Sequence, residues 1–343
     1  SIRCCVTVVF AFRLSEYPVS GAKSNYVKGR QNLSVEPIRI SLNMRVVVWD
    51  LDETLILFHS LLTSEFSKAN PSCHAGEAFS LGQKWQDAIL DLSDAKLFYA
   101  ELEGICLSNI SDIEPFDDGE ELAEEDVQNN APQELFRFPC KGVAQRIRKC
   151  CIRYLEGLET LSGDKREFDY WSSIYIDTDV AVGGWLSHAR KLLRGVTEQA
   201  DSDGGEQVHM VVVTLGELVP TLAKLLLFKL SEFFEPGSVY CAREVGKEQC
   251  FRKIRNIFPP SSAFAVVGDS PEEEAAARAL SWPFLRIALG GGGGGSAGAR
   301  PAPCDSTVSR GRRLTDVRPA DVLALFGGPG RRPPGIRARD AAG

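Results

Sequence analysis

The stretch Met44-Arg45-Val46-Val47-Val48-Trp49-Asp50-Leu51-Asp52-Glu53-Thr54 constrains this chain more than any other. A short apolar run, rich in β-branched residues and closed by carboxylates, reads as a buried parallel strand that delivers its acids at the carboxyl edge of a sheet. Open α/β sheets take their ligands at that edge. Two carboxylates placed there two positions apart can divide the work: one attacks phosphorus, and the other donates and accepts a proton. Adjacent anions raise each other's pKa, so the pair calls for a hard, oxygen-ligated cation such as Mg2+.

The rest of the chain suits an α/β reading. Its 343 residues are 44% hydrophobic, ample for a core, and the net charge of −7 argues against a general nucleic-acid binder. Ten cysteines show no Cys-x-x-Cys pair and stand beside four histidines, which fits neither a zinc site nor a disulfide framework and points to a reduced nuclear or cytoplasmic setting. No apolar run reaches the ~18 residues of a membrane span. Residues 1–43 read as an extension outside the core.

Residues 44–60 form the first part of the core, with the strand and its acidic loop. Residues 61–205 read as mostly helical, with apolar residues at three- and four-residue spacing over 82–98, 143–161 and 185–193. An acidic loop at 111–133 reads as solvated, and Arg146, Arg148, Lys149 and Arg153 read as the outer face of a helix. Residues 206–289 return to strands, at 208–214, 238–241, 263–267 and 284–287, separated by helices at 219–234 and 246–257. That alternation implies a parallel sheet. A glycine-rich segment over 290–313, a helix over 314–326 that docks back with Thr315 as its cap, and a tail over 327–343 complete the chain. The arginine-rich end reads as a tail of biased composition rather than a nucleic-acid contact.

Three further strand ends add chemistry. Thr214 closes the second strand and offers a hydroxyl and an N–H to phosphate oxygens. Lys247 opens a helix behind Val245-Gly246 and can neutralise a transferring phosphoryl group. Val266-Val267-Gly268-Asp269 ends in a second carboxylate for a metal. Glu272, Glu273 and Glu274 follow, an acidic first turn in which one glutamate can hold a metal-bound water.

These residues resemble the haloacid dehalogenase superfamily of aspartate-nucleophile phosphatases and, within it, the plant-type members of the Eyes absent family of protein-tyrosine phosphatases. The resemblance is carried by Trp49 through Leu55 with His59-Ser60-Leu61-Leu62, and by Thr214 with Leu218 through Lys224. Val239-Tyr240, Val245 through Phe251, Gly268-Asp269 with Glu272-Glu273, and Trp282-Pro283-Phe284 complete it. It implies a Rossmann-like parallel sheet with an inserted all-helical cap, and a Mg2+-dependent phosphatase acting on phosphotyrosine proteins. Asp50 is then the nucleophile and Asp52 the general acid/base, whose backbone carbonyl also meets the metal. Asp269 completes the metal set with Asp50 and Asp52, Thr214 and Lys247 hold phosphate, and Glu273 stands in the outer shell. The resemblance also implies a transcription-factor partner. Two other readings stay open at this point: a phosphatase of phosphoserine or a small phosphometabolite, and a transcriptional cofactor that uses the same fold as a binding module.

Overall fold

The computed structural model describes residues 44–123, 140–202, 207–290 and 311–327. Five parallel strands, β1 (Arg45–Trp49), β2 (Val208–Thr214), β3 (Val239–Cys241), β4 (Ala263–Gly268) and β5 (Phe284–Arg286), form one sheet in the order β3-β2-β1-β4-β5. Val46, Val47, Val48 and Trp49 are all buried, as a central parallel strand covered on both faces requires. Their side chains alternate between two cores. Val47, Trp49 and Val212 join the larger one, and Val46, Val48, Val211 and Val213 the smaller one beneath Phe251, Ile254 and Phe264.

The register brings the strand ends into step. Val48 lies opposite Val211 on one side and Val266 on the other, and Trp49 opposite Val212 and Val267. β2 and β4 flank β1, so connections leave β1 to one side and later return on the other. The crevice beyond the carboxyl end of β1 is therefore the topological switch point of the sheet.

Between β1 and β2 the longest helices are Ala75–Leu97, Lys141–Glu156, Lys165–Ala181 and Trp185–Ser202. The first starts earlier than its apolar spacing suggests, at Ala75. Gly82 within it leaves room for Leu62, whose side chain lies 2.9 Å from where a Cβ would sit. The helix expected over 143–161 is broken at Gly157, whose φ of 82° ends one helix before Leu158–Leu161 begins. Trp85 stacks on Phe228 with ring centroids 4.1 Å apart, and its Nε1 donates to Thr178 Oγ1 at 2.9 Å. The helical section shares its apolar interior with the sheet, because one cluster runs from Trp49 and Val212 through Leu222 to Trp85, Trp171 and Trp185.

Three expectations are corrected. Arg146, Arg148 and Arg153 do not form an outer helical face. Arg146 is buried and pairs with Glu101, Arg148 pairs with Asp117, and Arg153 donates to the Lys96 carbonyl at 2.6 Å. Arg146 and Arg153 also cover the Phe98 ring. Their stems pack while their heads find partners, which spacing alone does not reveal. The acidic stretch is not simply solvated: residues Ile110–Phe116 form a 3-10 helix, Asp112 pairs with Lys253, and Lys141 lies 2.6 Å from Asp118. The C-terminal helix is shorter than expected, Pro319–Leu323. It is capped by the Asp321 carboxylate on the Arg318 N–H at 2.8 Å, while Thr315 sits inside a separate 3-10 turn.

That C-terminal segment does dock. Arg312 extends the sheet beside β5, with its N–H on the Arg286 carbonyl and its carbonyl on the Ala288 N–H, each at 2.9 Å. Leu314, Val317, Val322 and Leu323 are buried, and His188 Nε2 lies 2.9 Å from the Val317 carbonyl. Among the described residues the cysteines are free, and no helix is long and apolar enough to cross a membrane. The expectations for residues 1–43, 124–133, 291–310 and 328–343 lie outside the described residues.

Candidate active site

Asp50 is the first residue past β1, and its N–H donates to the Val267 carbonyl of β4 at 2.9 Å. The chain then folds back on itself. The N–H groups of Leu55 and Ile56 both donate to the Leu51 carbonyl, at 2.9 and 3.0 Å. Glu53 takes a left-handed conformation, φ 62°, uncommon for a residue with a Cβ. Its Oε1 accepts the N–H groups of Phe58 and Ser60, each at 3.1 Å, and so closes the loop. Trp185 Nε1 donates to the Thr54 carbonyl at 3.1 Å, which ties the same loop to the Trp185–Ser202 helix.

Asp50 and Asp52 meet different lysines. Lys247 Nζ lies 2.6 Å from Asp50 Oδ1 and 2.8 Å from Glu273 Oε1, and donates to the Val213 carbonyl at 3.1 Å. Lys224 Nζ lies 2.7 Å from Asp52 Oδ1, while Asp52 Oδ2 is 3.4 Å from Thr214 Oγ1. Thr214 Oγ1 in turn accepts the Gly216 N–H at 3.0 Å.

Local sequence accounts for the placement. Gly246, φ 79°, makes the turn into the Lys247–Ile257 helix, so Lys247 stands on its first residue. Ser270-Pro271-Glu272-Glu273 forms a capping box ahead of the Pro271–Ala279 helix: Glu273 Oε2 accepts the Ser270 N–H at 2.8 Å, and Ser270 Oγ accepts the Glu273 N–H at 3.4 Å. Gly268 permits that closeness, since a Cβ there would lie 2.6 Å from Glu273 Oε2. Arg286 braces the loop through the Asp269 carbonyl at 3.2 Å and Glu274 at 2.7 Å.

The charges do not balance. Carboxylate oxygens of Asp50, Asp269 and Glu273 lie within 4.8 Å of one another, with Lys247 as their cation. With all three carboxylates ionised, one cation would leave two negative charges in a site where Asp50, Glu273 and Lys247 are buried. Burial raises the Asp50 pKa well above the usual carboxylate range despite the opposing charge of Lys247. Burial, with the charges of Glu273 and Glu53, lifts Asp269 to about 7. Burial works against the charged form of Lys247, but Asp50 and Glu273 outweigh it and hold the ammonium above its ordinary pKa. An all-oxygen donor set with two uncompensated charges suits a hard divalent cation.

The six residues singled out from sequence thus fall into two adjoining groups: Asp50, Lys247, Asp269 and Glu273 in one, Asp52 and Thr214 in the other. The Asp52 side chain stands outside the acidic group. Sequence reasoning missed Lys224 as a site residue, although it is the one charged side chain in the run LVPTLAKLLL, a signal that it serves something other than the core. It also missed Glu53 as the group that closes the loop after β1, and Arg286 as the brace of the Asp269 loop.

No family model matches the chain. Among curated proteins, Protein phosphatase EYA of Arabidopsis thaliana is 34% identical over 261 residues, covering 72% of this chain and 83% of that protein. Protein phosphatase eya of Drosophila melanogaster is 31% identical over 71% of this chain, and Protein phosphatase EYA2 of Homo sapiens 29% identical over 78%. The chain spans 33% of the length of the fly relative and 52% of the human one. A solved haloacid dehalogenase-like hydrolase from Xanthomonas campestris overlays with a TM-score of 0.34 at 15% identity, covering 83% of this chain and 97% of that one.

Proposed function

Because this chain belongs to the Eyes absent (EYA) family of protein phosphatases, we propose that it is a Mg2+-dependent protein-tyrosine phosphatase with Asp50 as its nucleophile. The observation that carries the reading is the placement of Asp50 at the carboxyl end of the central strand, its oxygen on Lys247 and within one acidic group with Asp269 and Glu273. The sheet carries a helical cap over residues 61–205, and the substrate is a phosphotyrosine protein. A transcription-factor partner and a nuclear or cytoplasmic setting fit the same reading.

Asp50 and Asp269 would supply side-chain oxygens to Mg2+, the Asp52 backbone carbonyl would join them, and Glu273, whose oxygens already meet Lys247 and the Ser270 N–H, would stand in the outer shell. When bound, the cation offsets the repulsion between a carboxylate nucleophile and a phosphate dianion. A carboxylate oxygen of Asp50 forms a bond to phosphorus as the bond to the tyrosine oxygen breaks. Asp52 gives its proton to that departing oxygen. In the second half, Asp52 takes a proton from water, the water oxygen bonds to phosphorus, and the bond to Asp50 breaks to release inorganic phosphate. Thr214 and Lys247 hold the phosphoryl oxygens through both steps. A phenolate, pKa about 10, leaves more readily than an alkoxide, which favours tyrosine over serine esters.

The experiment is hydrolysis of a phosphotyrosine peptide by the purified chain with Mg2+, with EDTA, and with Asp50→Asn. Turnover that needs the metal and vanishes in the variant is the expected result. A folded protein inert on phosphotyrosine but active on phosphoserine peptides or small phosphoesters would move the substrate assignment. One inert on all of them would leave a binding module on a phosphatase fold.

A further inference from the structure

Asp50 and Asp52 are two residues apart, yet they face different cations. Asp50 is drawn to Lys247 and into the acidic group, whereas both carboxylate oxygens of Asp52 are engaged elsewhere. Oδ1 sits 2.7 Å from Lys224 Nζ, and Oδ2 lies 3.4 Å from the hydroxyl of Thr214. Lys224 stands on the Leu218–Leu227 helix, otherwise packed against the core through Leu222, Leu225 and Leu226. Its ammonium also lies 4.9 Å from the centre of the Phe58 ring. Phe58 is fixed in turn, because its N–H donates to Glu53 Oε1 at 3.1 Å. The circuit Asp52, Glu53, Phe58, Lys224 and back to Asp52 is closed, with one link on a separate helix.

We propose that Lys224 is a positioning residue that holds the Asp52 carboxyl beside Thr214 and out of the Asp50–Asp269–Glu273 group, where it meets the leaving oxygen of the substrate. The inference rests on the phosphatase reading above. Its physical content is orientation. Without Lys224, the nearest strong attraction for Asp52 is the cation bound by its neighbours, and a carboxyl turned that way no longer hands its proton to the departing oxygen. A displacement of about 1 Å at a proton-transferring group costs up to about a hundredfold in rate.

The test separates orientation from general damage by varying how much the leaving group needs a proton. The full chain with Mg2+ is assayed on phenyl phosphate, whose leaving group resembles tyrosine, and on a dinitrophenyl phosphate, whose leaving group departs unprotonated. Lys224→Met is expected to lower kcat/KM about tenfold or more on phenyl phosphate and less than about threefold on the dinitrophenyl ester. Lys224→Arg is expected to restore most of the loss, because it keeps the cation. Circular dichroism and the unfolding midpoint report whether each variant folds, and Lys224→Gln serves if the methionine variant does not. Equal losses on the two esters, or no loss on either, would overturn the role of Lys224 while leaving the phosphatase reading intact. A wild-type chain inert on both esters would instead sink that reading first.

Discussion

Asp50 and Lys247 stand 197 positions apart in the chain and meet at 2.6 Å in a site where their side chains are 7% and 3% exposed. A pair this deep is held by geometry rather than by the energy of ion pairing, since desolvation offsets much of the attraction. Its value lies in where it puts the carboxylate, at the end of the central strand with one oxygen already engaged.

Removing the cation alone should be costly. Lys247→Met leaves Asp50 and Glu273 buried without their shared partner, an arrangement that typically loses about 3–5 kcal/mol. Urea unfolding at neutral pH, without metal, should show that loss. An unchanged midpoint would mean that the ammonium is not what holds the two carboxylates in place.

The negative charge that the acidic group carries once ionised predicts stabilisation by metal. Mg2+ binds the folded acidic group and not the dispersed carboxylates of the unfolded chain, so the thermal midpoint should rise with Mg2+ concentration. At a hundredfold excess over Kd the gain is about 2.7 kcal/mol. Asp269→Asn should remove most of the shift without lowering the metal-free midpoint. A wild-type midpoint insensitive to Mg2+ would speak against the cation site.

Trp185 couples the helical section to the loop that follows Asp50 through its bond to the Thr54 carbonyl. Trp185→Phe keeps most of the packing but leaves a buried acceptor without its donor. It should cost about 1–3 kcal/mol and lower turnover as the loop loosens. Calorimetry and steady-state kinetics on the same preparation would check both. A stability loss with wild-type turnover would confine the contact to a structural role.

Gly195 lets the C-terminal segment lie close, because a Cβ there would come within 2.6 Å of Pro319 Cγ. Gly195→Ala should push residues 311–327 off the Trp185–Ser202 helix at a cost of about 1–3 kcal/mol. Faster hydrogen exchange at Arg312 and Val317, with strands β1 and β4 still protected, is the expected pattern. Unchanged exchange would mean that the helix gives way instead.

Alkaline pH should destabilise the fold through its buried thiols. Burial raises Cys250 to about 11 and Cys151 and Cys241 to about 12, against an ordinary 9.0. A group whose pKa is higher folded than unfolded contributes stability below its unfolded pKa and loses it as pH rises towards the folded value. The unfolding midpoint should therefore hold to about pH 9 and fall above it, by up to about 1.4 kcal/mol per unit for each thiol. Cys241→Ala should make the decline shallower. A midpoint that rises over this range would contradict the assignment.

What was legible in the sequence was local. A β-branched run that is buried on both faces looks the same in any parallel sheet, so β1, β2 and β4 could be read from Val46–Val48, Val211–Val213 and Val266–Val267. The acids and hydroxyl that follow were legible for the same reason: a side chain just past a buried strand sits at the carboxyl edge whatever surrounds it. The arginines of the Lys141–Glu156 helix were misread because a cation with an aliphatic stem fits a surface or an interior equally well, and only the arrival of Phe98, Glu101 and Asp117 decides between them.

The sequence by itself determined the strands, their acidic ends and the residue types of the candidate site, because each follows from the chemistry of a few adjacent residues. The tertiary structure alone decided which lysine serves which aspartate. Lys224 and Lys247 are equally charged and both begin far from the first strand. The order β3-β2-β1-β4-β5 and the shared register carry one to Asp52 and the other to Asp50 and Glu273. Pairing across such distances depends on how whole elements pack, and no local run of residues encodes it.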